Sequence, residues 1–323
     1  MENELVLEED LVSVPNQRLK EKMAFEDYNS QLERIYKSDM PYKEQKRKIY
    51  ELQMPFLNMV HSNVVYGIIM EALAQGLLTD EPSLEAARAS RTGYYYEEFE
   101  LLELHRHKEF AYIFGQAYKY MNLARLLNLR WIVQLQEVIR TPESLILVRH
   151  FYETTLEELL IHECNSVTTA RAILMLANAI ICLQNYGIAH RDIRPSKVLV
   201  NTEPRLHVMI YGFHHSTSYL DEDKLPPNKA TEYNPPQTDW SCGSKQWDVY
   251  SLCVIIYEWH LRRLQLITEN GPRQPISKII FKKEQFKSFP AVVKLALESI
   301  GKYQEEELAT ATAIRDAMEA FIA

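Results

Sequence analysis

Apolar residues recur at helical spacing at both ends of the chain and in short runs in its middle. Residues 17–37, 43–53 and then Pro55–Leu78 carry apolar side chains every three or four positions, which predicts helices. After Gly93 the apolar stretches become short and rich in aromatic residues, which predicts strands. The predicted strands are Tyr94–Tyr96, Phe99–Leu104 and Phe110–Phe114.

Helical spacing returns at Gln116–Leu129 and dominates the second half of the chain. Before that half, two apolar runs, Trp131–Ile139 and Leu145–Phe151, are joined by a turn sequence and predict a hairpin. The later predicted helices are Thr155–His162, Val167–Asn185, Trp247–Arg262 and two between Phe289 and Ile322. Short strands are predicted at Val198–Val200 and Leu206–Tyr211. A strand-rich part followed by a larger helical part predicts an α+β fold in two lobes.

The composition is that of a folded protein with a surplus of acidic residues. The chain has 323 residues, of which 46% are hydrophobic and 11% aromatic, so it can bury a sizeable core and is not disordered as a whole. Its formal net charge is −8, from 36 Lys and Arg against 44 Asp and Glu. A broad basic surface is therefore excluded, and we predict no nucleic-acid partner.

Cysteine usage and the apolar stretches predict a cytoplasmic protein. The four cysteines are scattered without a CxxC pair, which favours a reducing compartment and neither a disulfide framework nor a structural zinc. The first ten residues are acidic, unlike a secretory or mitochondrial leader. Polar residues interrupt Pro55–Leu78 well short of the ~20 apolar residues of a membrane span. We therefore expect no span, and a place in the cytosol or in a cytoskeletal or other large assembly.

One segment carries most of the functional information. Residues 189–200 read Ala-His-Arg-Asp-Ile-Arg-Pro-Ser-Lys-Val-Leu-Val and lie between a long predicted helix and a predicted strand pair. His190, Arg191 and Asp192, followed by Arg194-Pro195, resemble the HRD catalytic loop of the eukaryotic protein kinases. The resemblance implies a bilobal protein-kinase-like fold, with a small β-rich N-lobe and a larger helical C-lobe.

Further matches to the kinase family occur in chain order. The two apolar runs between residues 130 and 151 resemble the strand pair that leads to the interlobe hinge, and Tyr233–Gln237 resembles a degraded APE segment. Asp248–Ser251 opens a helix that resembles the central helix of the C-lobe. The resemblance predicts a kinase-like domain at residues 85–323, with an N-lobe at 85–151 and a C-lobe at 152–323. Residues 1–84 form a predicted helical N-terminal extension without a counterpart in the family.

The positions that bind metal in the kinase family carry unsuitable residues in this chain. Ile210 stands where the resemblance places the aspartate of the DFG motif, and a shift of one residue puts Tyr211 there. Lys197 stands where the resemblance places the second metal ligand, an asparagine. Because magnesium requires hard oxygen ligands, we predict no metal at this site.

The positions that bind nucleotide in the family differ as well. Residues 94–110 contain no glycine, although a glycine-rich loop would bring backbone N–H groups to phosphate. The third-strand lysine falls at Ile113; the alternative, Lys119, leaves too few residues for the helix that should follow. The partner glutamate on that helix falls near Tyr120. Arg149 lies at the back of the expected adenine pocket and would obstruct it.

A charge pair of the active relatives is also replaced at both of its positions. Gln237 stands for the glutamate of the APE segment, and Leu308, by a looser match, stands for its arginine partner. Losing both charges costs little, whereas one buried charge without its partner costs about 3–5 kcal/mol. The joint replacement therefore favours a stable fold.

These substitutions together predict a pseudokinase that is not an enzyme and binds no cofactor, with Asp192 only ordering its own loop. It would act through contacts with other proteins, as a scaffold, an allosteric partner or a structural subunit of a larger complex. The N-terminal helices would make those contacts or brace a lobe. Two alternatives stay open. One is a nucleotide-binding, metal-independent switch, and the other is a weakly active divergent kinase or transferase that uses Asp192 with a relocated lysine.

Overall fold

The computed structural model of the protein describes residues 63–218, 232–235, 245–264, 288–301 and 309–323, together with Ser30, Arg34, Met40 and Lys48. Gln237 and Leu308 lie outside the described residues, and so do nearly all positions of the helices predicted between residues 17 and 53.

Most of the predicted helices are confirmed within the described ranges. The helices of the described ranges are α1 (Asn63–Ala74), α2 (Leu84–Ser90), α3 (Leu101–Arg106), α4 (Lys108–Leu126), α5 (Leu156–His162), α6 (Val167–Asn185), α7 (Lys245–Arg263), α8 (Ala291–Gly301) and α9 (Ala311–Ile322). Side-chain caps fix several helix starts. Ser166 Oγ, for example, accepts the N–H of Thr169 at 3.0 Å, and Thr155 Oγ1 accepts the N–H of Glu158 at 3.3 Å.

The strands form small sheets. They are β1 (Leu78–Asp80), β2 (Tyr94–Glu100), β3 (Glu137–Arg140), β4 (Ser144–His150), β5 (Thr154–Thr155), β6 (Ile188–Ala189), β7 (Val198–Asn201), β8 (His207–Ile210) and β9 (Thr217–Ser218). The sheet orders are β1-β3-β4-β2, β5-β7-β8 and β6-β9. The hairpin predicted around residue 142 is confirmed as β3 and β4. The α+β fold class is confirmed by this mixture of a sheet-containing part and a larger helical part.

The predicted strand Phe110–Phe114 is wrong, and the predicted strand Phe99–Leu104 is wrong from Leu101 onward, because a helical spacing of buried residues runs through these positions. Leu101 and Leu104 are both buried and lie three residues apart, as the first turns of α3 require. The prediction for Phe110–Phe114 fails because Ala111, Phe114 and Ala117 bury one face of α4. The β-branched and aromatic composition of this stretch is therefore overridden by packing.

One compact unit comprises the described residues up to Thr92 with Glu97–Ala111 and Val138–Ile146. In this unit β1 runs parallel to β3, with Leu78 opposite Val138. The buried guanidinium of Arg140 contacts Asp80 Oδ1 at 2.7 Å through both Nε and Nη2. Leu78–Asp80, which lies before the predicted boundary at residue 84, thus adds a strand beside β3.

The other unit comprises Gly93–Tyr96, Tyr112–Glu137 and the chain from Leu147 onward. Its core surrounds α6, which packs against α5, α7, α9 and β8. The apolar stripe along α7 is part of this core, since all of its members are buried: Val249, Leu252, Ile255, Ile256 and Trp259. This unit holds the loop that carries His190.

Within the described ranges, α6 is the single helix long and apolar enough to cross a membrane by length and composition. Half of that apolar stretch is buried in the protein, with Ile173, Leu176 and Ile180 almost inaccessible. This is the usual condition of a core helix. The compartment stays a prediction.

Candidate functional site

The loop His190–Asp192 follows β6 and is fixed by one buried carboxylate. Asp248, in the first turn of α7, accepts the backbone N–H of His190 at 2.8 Å and that of Arg191 at 2.9 Å. Burial raises the pKa of Asp248 to about 6, while the two N–H donors and the Arg191 charge favour its ionised form. Arg191 has a φ of 66°, a left-handed conformation that a non-glycine residue adopts at a cost of about 1–3 kcal/mol. The contacts from Asp248 offset that cost.

The imidazole of His190 connects the loop to the segment after β8. Nδ1 accepts the backbone N–H of Asp192 at 3.2 Å, so the proton is assigned to Nε2, which donates to the carbonyl of Tyr211 at 3.1 Å. The ring packs edge-to-face on Phe213, with the centroids 4.7 Å apart. Complete burial lowers the pKa of His190 to about 3, so the ring is neutral near pH 7.

Asp192 presents its carboxylate beside positive charge. Its Oδ1 lies 3.5 Å from Arg194 Nε, and its side chain keeps 8% of its accessible surface. Burial raises the pKa of Asp192, and the charges of Arg194, Lys197 and His214 act in the opposite direction. A carboxylate with this limited access can accept a proton from a hydroxyl group placed against it.

Comparison with known proteins agrees with this loop geometry. The family described as protein kinase domain matches residues 103–317, about two thirds of the chain. The chain belongs to the protein kinase domain family. One relative, from Encephalitozoon cuniculi (strain GB-M1), is named a probable cell division protein kinase and is 27% identical over 154 residues. The match covers 45% of this chain and 55% of the relative, so the chain spans about half the relative's length.

These findings overturn the prediction that the chain is not an enzyme. A kinase-domain match over residues 103–317 and a relative named as a probable protein kinase both point to a kinase enzyme. The prediction of lost activity is wrong, because it assumes that a member of this family must use the usual residues at the substituted positions. The predicted membership of the protein kinase family is confirmed.

Of the predicted metal-binding positions, Ile210 is enclosed in the protein core. It is completely buried in β8, where it pairs with Val198. Its backbone also bonds the 131–133 segment, donating its N–H to the Trp131 carbonyl at 2.9 Å and accepting the Val133 N–H at 3.0 Å. Ile210 therefore serves packing and offers no oxygen ligand.

Lys197 lies beside Asp192 and is held by the segment after β8. Its Nζ is 4.9 Å from the centroid of the Tyr211 ring. Gly212 has a φ of 84°, and a Cβ added there would meet the Lys197 Nζ and Cδ at 2.8 Å. The left-handed backbone favours glycine at position 212, and an added Cβ would push aside the flexible end of the Lys197 side chain.

The residues at this place do not fit a magnesium ion. Asp192 is the carboxylate that the described part of the chain supplies here, whereas Ile210 is apolar and Lys197 is cationic. Magnesium needs near-octahedral oxygen ligands, and an ammonium group repels it.

Arg149, predicted to obstruct an adenine pocket, lies between two aromatic rings. Its guanidinium carbon is 4.0 Å from the Tyr95 ring centroid and 4.7 Å from that of Tyr211, and the residue is 4% exposed. Nη1 also donates to the carbonyl of His150 at 3.3 Å. Obstruction of adenine stays a prediction. Tyr95 could not be predicted as a partner, because residues 54 positions apart in the chain meet only after folding.

Replacing Arg149 by methionine tests how much this stack contributes. The R149M change keeps much of the side-chain volume and removes two cation–π contacts, so we expect the free energy of unfolding to fall by about 2 kcal/mol or more. Denaturant unfolding measures this. R130M removes a contact at an exposed position, 4.9 Å from the Trp131 centroid, and should cost only about 0.5–1 kcal/mol. Equal losses in the two variants would contradict the stabilising role of the stack.

Ile113 and Tyr120, the two other positions compared with the nucleotide-binding residues of the family, both lie on α4. Ile113 is therefore not on a strand, and its assignment as the third-strand lysine position is wrong. The strand that precedes the α3–α4 region is β2, whose sequence YYYEEFE contains no lysine. Tyr120 is buried on α4 with its ring centroid 5.6 Å from that of Phe213. Tyr120 thus lies on a helix, as predicted, and its ring packs against the segment that follows β8.

A buried network ties residues 232–235 to α7. Tyr233 donates its hydroxyl to Glu258 Oε2 at 2.6 Å, and its carbonyl accepts the hydroxyl of Ser251 at 2.9 Å. Glu258 Oε1 also accepts from Arg262, at 2.9 Å from Nε and 2.7 Å from Nη2. Sequence reasoning missed this network, because it looked for an acidic group at Gln237 instead.

The neutral His190 makes stability sensitive to acid. Its folded-state pKa of about 3 lies below the unfolded value of 6.5, so the unfolded chain takes up a proton that the folded chain does not. The contribution is full above pH 6.5 and is lost as the pH falls. Between pH 7 and 5 we expect wild type to lose about 2 kcal/mol more than H190F.

Urea unfolding at both pH values measures this difference. H162F, changed at an exposed position on α5, is the matched control for replacing a histidine by phenylalanine. An H190F variant with the same pH dependence as wild type would show that His190 is not the group responsible.

Proposed function

We propose that this protein is a divergent protein kinase, which transfers the terminal phosphoryl group of a nucleoside triphosphate to a hydroxyl group of an acceptor protein, with Asp192 as the general base. One observation carries the proposal. The loop that presents Asp192 is fixed by two backbone N–H groups that donate to buried Asp248, so the Asp192 carboxylate is held in place before any substrate arrives.

Asp192 would act on the proton of the acceptor. As the acceptor oxygen forms a bond to the terminal phosphorus, the bond from that phosphorus to the bridging oxygen breaks and the nucleoside diphosphate leaves. The acceptor's proton moves to the Asp192 carboxylate. Such general-base assistance contributes about 10²–10⁴-fold in rate.

The charges around Asp192 support this role. Burial raises the pKa of the carboxyl, which makes it a better proton acceptor than an exposed aspartate. Arg194 and Lys197 counteract this effect and keep the group available in its ionised form near neutral pH. The same two cations attract the phosphate groups of a nucleotide.

Transfer of label from a nucleotide tests the proposal. The full chain is incubated with ATP labelled at the terminal phosphate and with casein as a general acceptor, in buffers with and without magnesium. Label on casein or on the chain itself, at a rate above that of heat-denatured protein, is expected. No label in any buffer, with no shift of the melting temperature by ATP, would overturn the proposal.

The protein partner stays a separate proposal. We propose that residues 1–84 contact another protein, on the basis of their apolar helical spacing. Nearly all positions up to residue 62 lie outside the described residues, so the support comes from the sequence. Loss of a co-purifying protein on deletion of residues 1–62 tests it, and an unchanged set of co-purifying proteins would contradict it.

A further inference from the structure

We propose that Lys197 takes the place of a divalent cation, so that this protein binds the phosphate groups of a nucleoside triphosphate through the lysine ammonium without requiring a metal. This inference rests on the proposed function and specifies how the same site recognises its nucleotide. The residues Ile210 and Lys197 do not fit the metal that is expected in the family.

The groups around Asp192 suit a phosphate better than a metal ion. A site for a divalent ion would gather several oxygen ligands, but Ile210 is buried in β8 and Lys197 is a cation. A lysine ammonium is a compact charge that binds phosphate oxygens through three N–H donors. Phosphate is therefore better suited than a metal ion to this place.

The fold holds Lys197 at both its backbone and its side chain. Its N–H donates to the carbonyl of Arg194 at 2.8 Å, and its carbonyl accepts the N–H of Tyr211 at 3.2 Å. The end of its side chain lies over the Tyr211 ring and against Gly212, where any Cβ would displace it. Lys197 is half-buried, so part of the residue is within reach of solvent.

The loop also carries a local surplus of positive charge. Arg191, Arg194 and Lys197 occur within seven consecutive residues, in a chain whose formal net charge is −8. Burial lowers the pKa of the half-buried His215 imidazole to about 4, and the charges of His214 and of all three cations act in the same direction. Among the described residues, Asp192 and Asp248 are the carboxylates in direct contact with this loop, and Asp248 accepts from backbone N–H groups. The positive surplus favours an anionic ligand.

Nucleotide affinity in the presence of a chelator tests the inference. We would measure ATP binding by thermal shift and by isothermal titration, once with EDTA and once with magnesium chloride. Wild type should bind in EDTA, and magnesium should not strengthen the affinity by more than about threefold, a difference below 1 kcal/mol. K197M should bind at least tenfold more weakly in EDTA.

Two further variants control for trivial effects. K119M removes the charge of an exposed lysine on α4 and should bind as wild type does. K197R keeps the charge and should recover most of the affinity that K197M loses. Denaturant unfolding of each variant confirms that it is folded at the temperature of the binding measurement.

The outcomes separate this inference from the proposed function. Wild-type binding that requires magnesium, or binding in EDTA that K197M leaves unchanged, would overturn the role of Lys197, while labelled phosphate on an acceptor would still support a kinase. No nucleotide binding and no transfer in any buffer would overturn the proposed function itself. Binding in EDTA that K197M abolishes and K197R restores would establish the lysine as the phosphate ligand.

Discussion

Replacing Asp192 by asparagine is expected to lower the rate of phosphoryl transfer by about 10²–10⁴-fold, with nucleotide affinity nearly unchanged. The amide cannot take up the proton of the acceptor, but it has the same shape as the carboxyl group. The hydrogen bonds that the loop N–H groups donate to Asp248 stay in place. Transfer of labelled phosphate to casein, combined with nucleotide titration, separates the effect on rate from the effect on binding.

The control for this change is an aspartate far from the loop. D316N alters an exposed carboxylate on α9 that contacts Arg315 and should transfer phosphate at the wild-type rate. Because burial raises the pKa of Asp192, wild-type activity should fall on the acid side at a higher pH than for an exposed aspartate. A D192N protein with wild-type activity would rule Asp192 out as the base.

Removing Asp248 is expected to produce the largest loss of stability. The D248A change leaves the N–H groups of His190 and Arg191 without their acceptor inside the protein, at about 1–3 kcal/mol for each, so the free energy of unfolding should fall by about 2–6 kcal/mol. Arg191 would also lose the contacts that hold its left-handed backbone. Denaturant unfolding followed by circular dichroism measures the loss.

A surface aspartate again supplies the comparison. D316A removes an exposed ion pair and should change stability by less than about 0.5–1 kcal/mol. If D248A were as stable as D316A, the loop would have to be held by other contacts, and the pre-positioning of Asp192 would lose its physical basis.

The loop and the helices of the larger unit could be predicted from local sequence. The spacing of apolar residues located α6 and α7, and the His190–Asp192 triplet located the loop. The hydrogen bonds that His190 and Arg191 donate to Asp248 could not be predicted, because they join residues 58 and 57 positions apart in the chain. The same holds for Tyr95, which meets Arg149 only after folding.

The start of α4 shows where local patterns mislead. Phe110–Phe114 is aromatic and apolar enough for a strand, but its buried side chains follow a spacing of three to four that continues to Ala124. Tertiary packing decided between the two patterns. The wrong strand then misplaced the expected lysine at Ile113, so one error of secondary structure became an error about the site.

Helix α7 holds two separate segments of the chain at different positions along its length. Asp248 lies near its beginning and fixes the loop of His190, whereas Glu258 and Arg262 lie near its end and hold Tyr233. Because helix ends fray more easily than helix interiors, unfolding of the last turn would separate Arg262 from Glu258 but leave the Ser251 hydroxyl bonded to the Tyr233 carbonyl. Fraying at this end would therefore leave the buried Glu258 carboxylate without the charge of Arg262, while the contacts of Asp248 stay in place.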